Sequence, residues 1–172
     1  MKVVAIACFV LAGLIASLFA IGALLPQKHV AIREITLRRP PDEVYGAVRD
    51  FASAATWRPD LKRIVILEPV EGRPRFREEW SHGAINYEVV EDVEPRRLVT
   101  NILDRDLGYF GTWTYEFEPV ENDATRVRIT ENGEVPNVMF RFISRFVFGH
   151  TKTMETYLRA LGRKFGEEVT PR

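Results

Sequence analysis

The sequence predicts an α+β architecture: a curved antiparallel sheet of about seven strands wrapped around a long C-terminal helix, preceded by one transmembrane helix. Three observations lead to it. Residues 3–25 form an uncharged apolar run. The stretch between residues 61 and 130 breaks into short segments of period two separated by turn residues. From Met139 to Phe165, apolar side chains return every three or four residues.

Composition bounds the functions available. Of 172 residues, 24 are Lys or Arg and 24 are Asp or Glu, so no basic surplus exists to neutralise phosphates, and no nucleic-acid partner is expected. A single cysteine excludes a disulfide framework and any zinc site built on several thiolates. The charge is unevenly placed: Lys2 is the only charged side chain in the first 27 residues. The chain therefore divides into an anchor at residues 1–27 and one soluble domain at residues 28–172.

In the first segment, Val3 to Leu25 is 23 residues long, and such a helix reaches ~34 Å, enough to cross a ~30 Å hydrocarbon core. A cleaved signal peptide is the competing reading, with Ala20-Ile21-Gly22 as a small-x-small site, but the run exceeds the usual signal core of ~7–15 residues. Gly13, Ala16, Ser17 and Ala20 share a face of the kind helices use to approach each other, though small residues are common in such helices. Cys8 reads as a small buried apolar residue. Lys28, Arg33, Arg38 and Arg39 follow the span and lean the soluble domain towards the cytoplasm.

Pro26 ends this helix, and residues 29–37 read as a first strand carrying Val30, Ile32, Ile35 and Leu37. Pro40-Pro41-Asp42-Glu43 is a helix start, with proline suited to the first turn and two acids to its positive end. Val44, Tyr45, Val48 and Phe51 follow at helical spacing, and Trp57-Arg58-Pro59 closes the region. Six strands come next. They centre on Ile64–Leu67, Phe76–Trp80, Ile85–Val89, Leu98–Leu103, Thr112–Glu118 and the Val127/Ile129 pair, an antiparallel meander. Trp113, Tyr115 and Phe117 share one face of the fifth. Arg126 and Arg128 lie opposite Glu116 and Glu118 for cross-strand ion pairs. Pro136-Asn137 then starts a helix of roughly 28 residues, ~40 Å long, with Gly149 near its middle and Gly166 near its end.

This order of elements resembles the START-like helix-grip superfamily (SRPBCC), most closely its polyketide cyclase/dehydrase branch. The residues that carry the resemblance are Pro40 to Tyr45, Asp50-Phe51, Trp57-Arg58-Pro59, Glu68-Pro69, the Phe110 to Tyr115 strand and the amphipathic C-terminal helix. It covers residues 30–168. The resemblance implies an apolar cavity between sheet and helix. Members of the superfamily bind lipids, sterols, polyketides or other hydrophobic small molecules, and a minority catalyse cyclisation or dehydration.

The expected partner is accordingly a hydrophobic small molecule or lipid, with quinone-like and polyketide-like compounds included, and membrane contact is expected through residues 3–25. Trp57, Trp80, Tyr87, Trp113, Tyr115, Phe142, Phe146, His150 and Tyr157 are the expected ligand-binding residues, with Phe117 beside them. Each reads first as packed core, while some of the set is expected to touch a ligand.

No residue is assigned a catalytic role. Glu78 shares parity with Phe76 and Trp80 and is the most suggestive inward carboxylate, although a surface or salt-bridged position is the simpler reading. Glu79, Glu88, Asp104 and Glu131 sit in strands without a face that counting assigns. An enzyme of the cyclase/dehydrase type would use Glu78, His150 or Tyr87 as acid or base, and a ligand-free interaction module is the third alternative. His29, His82 and His150 fit no metal-ligand spacing, no glycine-rich phosphate loop is present, and no cofactor is expected. Ser81-His82-Gly83 is a turn in composition.

Overall fold

The structure is a computed structural model that describes residues 2–149 and 151–172, without the side chains of Ala5, Ala7, Cys8, Val147 and Phe148. Cys8 and His150 among the sequence expectations thus lie outside what is described.

Helix α1, Lys2–Leu24, follows the apolar run and projects its side chains outward, with Val3, Phe9 and Leu24 all largely exposed. It is the one described helix long and apolar enough to cross a membrane. Pro26 cannot continue it, and the chain turns into strand β1, Lys28–Leu37.

Within β1 the two apolar parities compete. Ala31, Ile35 and Leu37 are buried, whereas Val30 and Ile32 face outward. The register of β1 against the last strand decides this, because Ile35 pairs with Val127 and Leu37 with Thr125 on the core face. Helix α2, Pro41–Arg49, begins with proline in its first turn, carries Asp42 and Glu43 there, and buries Val44, Tyr45 and Val48. Phe51 lies one step beyond, in a 3₁₀ turn, Phe51–Ser53, whose amide at Ser53 is capped by the Asp50 carboxylate. A single turn, α3 (Ala54–Trp57), follows.

Six strands then form a meander: β2 (Arg63–Val70), β3 (Arg73–Trp80), β4 (Gly83–Val93), β5 (Arg97–Ile102), β6 (Phe110–Val120) and β7 (Ala124–Glu134). The sheet order is β1-β7-β6-β5-β4-β3-β2, antiparallel throughout. A two-residue turn, Glu71-Gly72, joins β2 to β3 with φ of 51° and 75°, the left-handed pair that matches the twist of a hairpin. In β4 an extra residue between Val89 and Glu91 bulges the ladder and bends the sheet about its inner face.

The C-terminal helical stripe is broken. Asn137 caps α4, Val138–Ile143, by accepting from the Phe140 amide, and a π-helical turn, Ser144–Phe148, follows. Gly149 at φ 71° ends it, and α5, Lys152–Lys164, starts afresh. The expected single helix of 28 residues is therefore two segments, because the stripe's spacing persists across a glycine whose backbone leaves the helical region. Helix α5 buries Met154, Tyr157, Leu158 and Leu161 against the sheet. It stops in a Schellman arrangement at Gly166, where the Glu167 amide donates to the Gly162 carbonyl. Helix α4 instead packs against the C-terminal end of α1: the Gly22 backbone lies so near the Val138 carbonyl that a Cβ would stand 2.4 Å from it. The Arg141 guanidinium donates to the Leu25 and Pro136 carbonyls and fixes that junction.

Candidate functional site: a cavity with two polar poles

Between the concave face of the sheet and the α4–α5 segment lies a cavity of about 680 Å³. The alternation of β3 to β7 builds its wall. Phe76, Glu78 and Trp80 come from β3, Ile85 and Tyr87 from β4, Thr100 and Ile102 from β5, Trp113 and Tyr115 from β6. Phe140 and Ser144 close one side from the α4 segment.

One polar pole is formed by Arg58 and Glu78. The guanidinium meets the carboxylate through two hydrogen bonds, 2.5 and 3.2 Å, and reaches Asp60 at 3.3 Å. Both side chains of the pair are about nine-tenths buried. Burial opposes the Arg58 charge, but Glu78 more than offsets it and holds the guanidinium firmly protonated. Burial also raises the Glu78 carboxyl above the usual range, with Arg58 pulling against it. The guanidinium lies 5.0 Å over the ring of Tyr157, and the Tyr87 and Tyr115 rings complete the surroundings. Desolvation pushes all three phenols upward, so they stay neutral hydrogen-bonding groups.

The second pole is Glu131 on β7. Its carboxylate accepts from the Trp113 indole at 2.6 Å and is joined to the His29 ring at 2.9 Å. The His29 ring fits only because Gly133 is opposite it on β7, where a Cβ would stand 2.2 Å from the imidazole. Tyr87 is on the same wall, within electrostatic reach of both Glu78 and Glu131.

The expected residues separate into three groups. Trp80, Tyr87, Trp113 and Tyr115 are on the cavity wall. Trp57 and Tyr157 stand behind it, their rings edge to face at 5.4 Å, with Tyr157 also against Trp113 and Tyr115. Phe142 and Phe146 touch each other at 5.0 Å in the α4 segment, but the described wall does not include them, and Phe146 is turned to the outside. Phe117 is core. Glu78 faces inward, as its parity suggests, and is salt-bridged. Glu88 is on the opposite face, held by Arg73 and Arg75.

Arg58, Glu131 and His29 line the cavity without having been expected to. Arg58 lies inside the Trp-x-Pro signature, where Trp57 and Pro59 carry the pattern. Glu131 shares the parity of Val127 and Ile129, a period-two signal that points it inward along β7. His29 had no such signal, since its position depends on pairing with Gly133, 104 residues away.

A curved sheet gripping a C-terminal helix over an aromatic cavity defines a START-like, helix-grip domain. Residues 29–166 match the family described as polyketide cyclase / dehydrase and lipid transport, and the chain belongs to it. Among solved structures it is similar to a START superfamily protein from Mycobacterium smegmatis, with 20% identity, 79% of this chain and 96% of that chain covered, and a TM-score of 0.63. It is also similar to the Zhui aromatase/cyclase from Streptomyces sp. R1128 (14% identity, 78% and 91% covered, TM-score 0.62). The norcoclaurine synthase from Thalictrum flavum matches at 10% identity, 80% and 86% covered, with a TM-score of 0.64. At these identities the likeness is one of fold. No curated protein sequence matches the chain.

Proposed function

We propose that this chain is a membrane-anchored binder of a hydrophobic small molecule, of lipid, quinone or polyketide-like character, held between the sheet and the C-terminal helical segments. Residues 1–27 are the anchor and residues 28–172 the binding domain. Trp80, Tyr87, Trp113 and Tyr115 contact the ligand directly, with Trp57 and Tyr157 shaping the wall from behind.

The observation that carries the proposal is the docking of α4 on α1. The element that closes one side of the cavity, through Phe140 and Ser144, is bonded at Arg141 to the end of the one helix of membrane-crossing length among the described residues. A ligand concentrated in a bilayer would then meet the cavity next to the phase it leaves, which raises its effective concentration. The family's description and the aromatic wall support the ligand class.

The test is to purify the full chain from membranes, extract it with organic solvent and identify what copurifies by mass spectrometry. A stoichiometric hydrophobic compound is expected. Its absence, together with no uptake from a lipid extract, would overturn the reading.

A cyclase or dehydrase activity is a second reading, favoured by one observation: Glu78 and Glu131 both bring carboxylates to an apolar cavity. Glu78→Gln tests it once a substrate is in hand, and unchanged turnover would exclude Glu78 as the acid or base.

A further inference from the structure

The charges on the cavity wall are unequal. Its described lining contains two permanent cations, Arg58 and Lys152, against four carboxylates, Asp60, Glu78, Glu131 and Glu134. The cations are also not equally available. Arg58 is already committed to Glu78 and Asp60, and Lys152 is exposed where α5 begins. An anionic headgroup drawn into the interior would therefore lose its hydration and meet a described wall on which carboxylates outnumber cations even with Lys28 paired to Glu134 at 4.0 Å, and on which the buried guanidinium is already held by two carboxylates.

Glu131 has the opposite character. A carboxylate offers about four lone-pair sites, and Trp113 and His29 engage one oxygen each. The group is thus held rigidly yet retains acceptor capacity towards the cavity it lines. Tyr109 and Trp113 on the same wall present ring surfaces suited to a cation or a neutral aromatic body, whereas the Phe110 ring is already covered by the Arg105 guanidinium at 5.2 Å.

Resting on the binding role above, we infer that the cavity selects an uncharged or cationic amphiphile, its hydroxyl or ammonium group anchored at Glu131, and rejects carboxylate- and phosphate-headed lipids. The selection comes from the wall's charge, and the orientation comes from Glu131.

Three probes with one apolar body test this: 2-naphthalenemethanol, 2-naphthylmethylammonium and 2-naphthoate. They are titrated against the full chain in phosphatidylcholine nanodiscs, with empty nanodiscs subtracted. The alcohol and the ammonium are expected to bind, and the naphthoate about tenfold or more weakly than either. Glu131→Gln is expected to weaken the ammonium about tenfold while weakening the alcohol less. Naphthoate binding as tightly as the ammonium would overturn the charge selection and leave the binding role standing. An unchanged ammonium-to-alcohol ratio in Glu131→Gln would overturn the anchor. Failure of all three probes on the wild-type chain would overturn the binding role and the inference together. The wild-type comparison stands even if the variant does not fold.

Discussion

Arg58, from the turn after α3, and Glu78, from the middle of β3, join the short helical region to the sheet through a buried two-pronged ion pair. The two residues are 20 positions apart, and nothing else charged in the chain is paired as deeply among the described residues. Such a pair gains little over an apolar isostere, but breaking it leaves one charge buried and alone. Arg58→Ala is therefore expected to cost about 3–5 kcal/mol. The double variant Arg58→Met/Glu78→Leu should recover most of that loss. Denaturant unfolding of the full chain in detergent measures both, and equal losses in the single and double variants would contradict the account.

Acid stability depends on ion-paired carboxylates, Glu88 and Glu79 on the outer face of the sheet and Glu155 on α5. The Arg75 hydrogen bond, with help from Arg73, holds Glu88 below the ordinary carboxylate range against the effect of desolvation. Arg63 does the same for Glu79, and Arg33 for Glu155. A depressed carboxylate binds fewer protons folded than unfolded, so its contribution is present above the unfolded value and lost as pH falls through the folded one. Stability should therefore fall as pH drops below about 5, the onset of protonation in the unfolded chain. Glu88→Gln should start lower at neutral pH and fall less over that window, as followed by thermal unfolding at each pH.

Tyr45 contributes to the alkaline limb alongside the desolvated Tyr87, Tyr115 and Tyr157. The Tyr45 phenol donates to Asp92 across the α2–β4 contact, and Arg49 holds the other carboxylate oxygen at 2.7 Å. Burial, then the Asp92 hydrogen bond, pushes Tyr45 up to about 12. A raised value means the folded state keeps a proton that the unfolded state gives up, so this contribution is complete below about pH 10 and disappears as pH rises to about 12. Tyr45→Phe is expected to lose about 1 kcal/mol at neutral pH and to show a shallower decline above pH 10.

The junction of α1 and α4 should control access rather than affinity. Because a Cβ at Gly22 would stand 2.4 Å from the Val138 carbonyl, Gly22→Ile must part the two helices. Uptake of an uncharged naphthyl probe from vesicles should slow in this variant, while its equilibrium affinity in solution stays near wild type. Unchanged uptake kinetics would separate the cavity from α1.

Much of this architecture is legible in local pattern. Proline and two acids start α2, period-two runs with turn residues between them give the meander, and Trp113, Tyr115 and Phe117 alternate onto one face as counted. What local pattern misses is non-local. The parity of β1 depends on its register with β7, so Ile35 and Leu37 are buried while Val30 and Ile32 are not. Cross-strand charges show the same limit. Arg126 meets Glu118 as its position suggests, but Arg128 turns to Glu34 on β1 and leaves Glu116 to Arg97. In the helical stripe, Phe142 and Phe146 keep the spacing of cavity residues, yet the turn before Gly149 carries them away from the wall. The two polar poles needed three-dimensional closure: each joins a residue on the sheet to one far off in sequence.

The central claim, that the space under the C-terminal segments is a binding cavity, is tested most directly by filling it. Ile102 lines the wall from β5 and is only half-buried, so Ile102→Trp places a larger ring in the cavity without displacing the fully buried core. Binding of the uncharged dye N-phenyl-1-naphthylamine to wild type and variant, both as full chains in nanodiscs with equal thermal stability, is the measurement. Saturable dye binding by the wild type is expected, with its loss, by about tenfold or more, in Ile102→Trp. Equal saturable binding by the two chains would contradict the central claim and place the dye elsewhere.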